Sequence, residues 1–299
     1  MALKWFCGTC LVLLSQFVYA GTDIVRFVDA SGLRKNPNNR YFIAVLDLAL
    51  QKSQREFGDY ILQPIDIPIT QKRHFVELSL GRIDVFWTMA SSIRETFARP
   101  VPIPLAFGSY GIRLMAINKQ SAARFSQVND IVGLNEFSAL SGVDWPDTEI
   151  LKQNGIVTDS SHPERDFYHL LSSSTNSYFP RGITEIYSEL ERSELDNLVV
   201  DEHLALIYPA VMYFYVANDN FELQARLEKG LKAAIEDGSL ESLFFKFDHH
   251  AKAFEQANVK QRNLIFLPNP LLPNKVDIDQ IRELQMKVIG VKAKKVIEN

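Results

Sequence analysis

The 299-residue sequence predicts an α/β protein of two lobes, each a mostly parallel sheet flanked by helices. Three observations predict it. Strand and helix signals alternate through the first hundred residues, the pattern of a parallel sheet covered on both faces. A run punctuated by Pro100, Pro102 and Pro104 then pre-extends the backbone between two folded units. Finally, a single core stops growing at about 250–300 residues, so a chain of this length divides. The hydrophobic fraction of 46% is enough to fill both lobes.

Met1 to Ala20 carries one basic residue, Lys4, then an apolar run through Cys10 to Leu14 and Phe17-Val18, and ends in Val18-Tyr19-Ala20. This is the pattern of a secretory signal cleaved after Ala20, which implies a periplasmic protein. The run is interrupted by Ser15 and Gln16 and falls short of the roughly 20 apolar residues of a membrane span. Both cysteines, Cys7 and Cys10, precede the strongest apolar stretch, whereas a lipid-acceptor cysteine follows it. Without this segment the chain has no cysteine, which excludes disulfides, thiolate metal sites and cysteine nucleophiles. The net charge is −4, with no long basic stripe, so nucleic-acid binding has no support.

Asp23 to Val28 alternates as a strand does, and a polar, glycine-containing segment to Asn39 breaks it. A helix follows from about Tyr41, with Phe42, Val45, Leu46 and Ala49 on one face and Gly58 beyond its end. Tyr60 to Ile69 reads as an edge strand around two prolines. Thr70 caps a helix carrying Phe75, Val76 and Leu78 up to Gly81. Ile83 to Met89 reads as a strand buried on both faces.

Tyr110 to Asn118 has strand character after the prolines. A second strand–helix pattern runs from Asn129 to Leu134, through a turn at Ser141-Gly142, to a helix capped near Asp147 or Thr148 and stopped by Gly155. The Ser172 to Asn176 cluster reads as loop. Val211 to Val216 is a further buried strand. Asn220 caps a helix with Leu223, Leu227, Leu231 and Ile235 at i,i+4 spacing, ended by Gly238, and Ser239 caps the next. After Pro268, Pro270 and Pro273 an amphipathic helix starts near Asp277. Its apolar side is Ile281, Leu284, Val288 and Val291, with Lys287, Lys292, Lys294 and Lys295 nearby; docking on the first lobe is its default role.

Leu80-Gly81-Arg82-Ile83-Asp84-Val85, then Met89 to Glu95, then Val101 to Pro104, resemble the type II solute-binding proteins of amino-acid ABC transporters, bacterial extracellular family 3. In that family a "SGKIDA" turn, a "T-x-x-R" binding element and a "DFSDPY" crossover occur in this order. Tyr213 to Val216, Leu223 to Ile235 and Gly238 to Phe244 resemble its returning strand and final helices, so the likeness spans roughly Asp23 to Phe247. It implies two lobes joined by two crossovers: a lobe one of 21–105 and 211–262, a lobe two of 106–210 and a C-terminal extension of 263–299. It also implies a monomer that closes by a hinge on a small ligand, anionic or amino-acid-like, and delivers it to a membrane permease or receptor. No enzyme activity, cofactor or metal is implied.

The same resemblance implies the site residues. Arg94 matches the arginine that grips a ligand carboxylate, a role suited to its planar fork; the alternative is a surface arginine paired with Glu95 or Asp84. Ser91 adds a hydroxyl. By strand alternation one of Phe86 and Trp87 points into the cleft and the other into the core; Trp87 is the favoured aromatic wall, with core packing as its alternative, and Asp29 is a first-lobe contact or a loop cap. In lobe two, Gly142 with Ser141, and Asp147 with Thr148 at a helix start, match backbone amides receptive to an anion, although Asp147 also suits a capping role.

One departure concerns Asn176 to Arg181, where amino-acid binders carry an aspartate pair and this chain has Ser177 and Arg181. Loss of the acid removes the partner of an α-ammonium. If Arg181 faces the cleft, a ligand with two anionic groups fits better.

Other classes leave weaker traces. His249-His250, His162 and His169 lack metal-ligand spacing, and no nucleophile elbow, phosphate loop or dinucleotide fingerprint occurs. A sensor built on the same two lobes is the closest alternative.

Overall fold

The computed structural model describes residues 22–29, 37–67 and 69–290. The expected signal, Met1 to Ala20, and the end of the chain with Val291, Lys292, Lys294 and Lys295 lie outside the described residues.

The first lobe opens with β1 (Asp23–Val28), α1 (Pro37–Phe57) and β2 (Tyr60–Ile65), the two strands parallel with Val25 opposite Leu62. The helix begins four residues before Tyr41, at a proline whose fixed φ suits a first turn. Next come α2 (Gln71–Ser79), β3 (Phe86–Met89), α3 (Arg94–Phe97) and β4 (Arg99–Val101). Thr70 caps α2 as expected, its hydroxyl accepting from the Arg73 amide, and Gly81 follows at φ +63°.

The second lobe contains β5 (Ile112–Asn118), α4 (Ala122–Phe125), α5 (Ile131–Leu134), β6 (Ser138–Leu140), α6 (Pro146–Gln153), β7 (Thr158–Asp159), α7 (Phe167–Ser173), β8 (Ser177–Gly182), α8 (Ile186–Ser193) and β9 (Leu198–Ile207). Returning to the first lobe are β10 (Met212–Val216), α9 (Phe221–Glu236), α10 (Ser239–Lys246) and α11 (Asp248–Ala257), and β11 (Asn263–Phe266) and α12 (Ile278–Gly290) finish the described chain.

In the first lobe β10 lies between β3 and β4, antiparallel to both, because it re-enters from the opposite direction. The second lobe holds a six-stranded sheet in the order β11-β9-β5-β8-β6-β7, parallel except where β5 pairs with β8 and β9. All seven residues of β5 are buried. Helix α9 lies against α1, with Leu227, Leu231 and Ala234 fully buried. Asn220 caps α9 through the Leu223 amide, a contact worth about 1 kcal/mol.

Three local expectations are corrected. Asn129 to Leu134 is not a strand: Asp130 accepts from the Gly133 amide and sets up a helical turn, and the strand comes later, at β6. The Ser172 to Asn176 loop begins only after Ser173, since α7 draws in the first two serines, whose hydroxyls suit a helix end. Gly238, at φ +74°, rather than Ser239, occupies the cap of α10.

Beneath α11 the His250 ring packs among Tyr41, Phe244, Phe247 and Phe254, and its Nδ1 lies 3.0 Å from the Phe244 carbonyl. Burial pushes its pKa down to about 3. Because the folded pKa lies below the unfolded value near 6.5, the unfolded chain binds the proton first and stability falls with pH. The expected loss is about 2–3 kcal/mol between pH 7 and pH 4.5. Urea midpoints against pH should show this slope in the natural chain and lose it in His250→Phe; equal slopes would show that another group governs acid unfolding.

Candidate functional site

Between the lobes lies a cavity of about 870 Å³. Its first-lobe wall is made by β3, the N-terminus of α2 and Phe42 of α1. Its second-lobe wall comes from the turn Gly142 to Asp147, residues 162–165, Arg113, Arg181, Glu185 and Glu189. Tyr110 and Met212 close the hinge side.

Strand β3 turns alternate residues toward two cores, Phe86 to one and Trp87 to the other. Both nevertheless edge the cavity. Trp87 stacks on Phe42 at 5.6 Å and 21°, and Phe86 stacks on His74 at 5.0 Å and 20°. Across the cleft Trp145 lies over Gly142, where an added Cβ would stand 2.8 Å from the indole. Gly142 is thus needed for its lack of a side chain. Burial lowers the His74 pKa, so the imidazole is neutral near pH 7.

Arg94 is buried directly behind this wall. One guanidinium nitrogen donates to Thr88 Oγ1 and, at 3.1 Å, to the Met89 carbonyl. The other donates to Gln71 Oε1 at 2.7 Å and to the Asp144 carbonyl of the opposite lobe at 3.4 Å. All four acceptors are neutral, and among the described residues no carboxylate pairs with it. Burial lowers its pKa for the same reason: the charge is desolvated. The alternative partners are engaged elsewhere, Asp84 with Arg26 and Glu95 with Lys275.

The second-lobe arginines are neutralised internally. Arg113 donates to Tyr208 Oη at 2.8 Å and pairs with Asp147, whose carboxylate also accepts from the Tyr208 hydroxyl. Arg181 forms a two-point pair with Glu189 at 2.6 and 2.7 Å and reaches Glu185 at 3.1 Å. Burial opposes the charge of both guanidinium groups, but the facing carboxylates more than restore it, and both pKa values end above normal.

Of the expected site residues, Trp87, Gly142, Asp147 and Arg181 line the cavity, and Asp29, Ser91, Arg94 and Thr148 are buried behind its lining. Thr148 holds the turn through Ser141 and the Gly142 carbonyl, and the Ser91 hydroxyl accepts from the Arg94 amide. Asp147 sits inside the first turn of α6 rather than capping it, since Pro146 begins the helix. Arg181 faces the cleft, yet the two-anion inference fails because Glu185 and Glu189 already meet its charge.

No family model and no curated protein matches the chain. Solved structures do. An ancestral arginine-binding protein bound to glutamine superposes with a TM-score of 0.56 at 12% identity, covering 76% of this chain and 98% of its own. A protein from the glutathione import system of Streptococcus mutans gives 0.54 at 17% identity, covering 76% and 95%. A histidine kinase sensor domain with similarity to periplasmic binding proteins gives 0.51 at 18%, again covering 76% and 95%.

The fold is that of the type II periplasmic binding proteins.

Sequence reading missed several residues of the cleft between the lobes. Gln71, His74, Tyr110, Arg113, Trp145, Glu185 and Glu189 all border it. For Arg113 a signal existed: it is the one charge in the apolar run Ile112 to Asn118. Glu185 and Glu189 share a helix face at i,i+4 spacing, four and eight residues after Arg181.

Proposed function

We propose that the protein is an exported, non-enzymatic solute-binding protein that encloses a carboxylate-bearing ligand between its lobes and delivers it to a membrane permease. Arg94 carries the reading. It is a buried guanidinium at the cleft whose acceptors are all neutral, whereas Arg113 and Arg181 are each matched by acids. A carboxylate that displaced Gln71 would gain a charge-assisted bond in a dry setting. Beyond the two matched clusters the lining carries Asp144 and Glu164 against Arg165, whose charge Asp166 meets at 3.6 Å, so the remaining balance is negative. That favours a ligand with a neutral or cationic far end over a dianion. The cavity of about 870 Å³ exceeds the needs of one amino acid and suits a short peptide or peptide-like solute.

A thermal-shift screen of α-amino acids, short peptides including glutathione, dicarboxylates and sugars tests this, with Arg94→Ala as control. A ligand at about 100 times its dissociation constant adds about 2.7 kcal/mol of stability. The expected result is a carboxylate-bearing hit weakened at least roughly 100-fold in Arg94→Ala. A hit indifferent to Arg94, or one lacking a carboxylate, overturns the reading. The likeness to a kinase sensor domain favours a second reading, a receptor-coupled sensor, in which ligand binding is retained and uptake is unaffected when the gene is deleted.

A further inference from the structure

The segment from Asn263 to Gly290 visits both lobes and both crossovers between them, residues 102–111 from β4 to β5 and residues 208–211 from β9 to β10. Strand β11 extends the second-lobe sheet beside β9, and the Leu267 amide continues that ladder to the Ile207 carbonyl at 2.8 Å. Asn154, the residue that ends α6, donates to the Pro268 carbonyl at 2.9 Å, and Asn269 to the Pro209 carbonyl at 2.8 Å. The chain then changes lobe. The Ser92 amide donates to the Leu271 carbonyl at 2.9 Å, Lys275 pairs with Glu95 at 2.8 Å, and Leu272, Val276 and Ile281 enter the first-lobe core beside Phe75 and Phe86.

Helix α12 completes the path at the hinge. Gln285 is 2% exposed, and its amide nitrogen donates to the Gly108 carbonyl at 3.0 Å and the Tyr208 carbonyl at 2.8 Å, one from each crossover. The seat is shaped for it: a Cβ on Gly108 would stand 2.6 Å from Gln285 Cγ, and one on Gly111 2.6 Å from Gln285 Nε2. Hinge opening changes backbone angles in the crossovers. A buried amide bonded to both of them cannot keep its two acceptors as they splay. The strap also holds Ser92 and Glu95, which flank Arg94, so hinge and cleft share it.

We propose that residues 263–290 form a strap that holds the lobes at the spacing seen here, and that they separate only when Gln285 leaves the two crossover carbonyls. This rests on opening of the lobes about the hinge but on no particular ligand. The test is pulsed EPR on spin labels at Gln51→Cys in the first lobe and Glu136→Cys in the second. The full chain is used with Cys7→Ser and Cys10→Ser, so that the labels are its only thiols. With the strap unaltered, one narrow distance distribution is expected. Gln285→Met keeps the volume and removes both donors, and should add a longer-distance population.

A broad or two-peaked distribution before mutation overturns the proposal, and so does a folded Gln285→Met variant with an unmoved narrow peak. Should that variant not fold, hydrogen exchange on the unaltered chain decides. The Ser92 and Leu267 amides must exchange as slowly as those of β5, and exchange at surface-loop rates overturns the strap. The ligand screen is independent of this outcome, so either reading fails without the other.

Discussion

Arg181→Met should cost about 3–5 kcal/mol at pH 7, and the deficit should shrink in mild acid. Arg181 is buried and is the direct partner of Glu185 and Glu189, which are themselves largely buried. Burial pushes both carboxyls toward protonation. At Glu189 the Arg181 charge and hydrogen bonds, with the Tyr168 hydroxyl at 2.9 Å, outweigh it and leave the pKa below normal; at Glu185 burial wins and the pKa stays raised. Methionine fills much of the arginine volume but leaves Glu189 with no cationic partner, only the Tyr168 hydroxyl, and Glu185 with the longer Arg113 contact at 3.4 Å. Their folded pKa values then exceed the unfolded ones, the folded state binds more protons, and stability falls as pH rises. Urea unfolding at pH 7 and pH 5 checks both parts. A loss under 1 kcal/mol, or one that is the same at both pH values, would show that water reaches these acids and that the network is not a buried one.

Gly230→Ala should destabilise the protein by about 3 kcal/mol even though alanine is the better helix former by about 1 kcal/mol. Gly230 lies in the middle of α9 with nothing unusual in its backbone. A Cβ there would stand 1.8 Å from the Ala49 carbonyl oxygen and 2.6 Å from its carbon, so α1 and α9 must move apart. Both are backbone atoms and cannot swing away as a side chain can. Because these helices carry Leu46, Leu227 and Leu231 between them, separation also loosens the first-lobe core. Thermal or urea denaturation of the variant is sufficient. A gain near 1 kcal/mol would mean that propensity governs this site and that the helices have room to spare.

These two cases mark where sequence reading reached and where it stopped. Caps at Thr70 and Asn220 were legible, because a cap is a contact across three residues. The buried strand β10 was legible from its composition, and the order of strands and helices from hydrophobic period. At the cleft, the family likeness pointed to the turn at Gly142 and strand alternation to Trp87 or Phe86, and all three border the cavity. Asn129 to Leu134 misled because apolar residues in so short a run fit strand and helical turn alike.

By itself the sequence determined what is local: which segments coil or extend, where they end, that the chain divides in two, and which arginines and aromatic residues were available to a cleft. Tertiary structure alone decided how their charges are spent. Asp147 meets Arg113 across 34 positions of sequence, Arg94 is left to Gln71 and Asp144, and Gln285 reaches two crossovers more than 75 residues away. The reason is physical. Propensity and capping act within one helical turn, whereas the partner of a buried charge is set by which remote element the packing of the core brings within 3 Å of it.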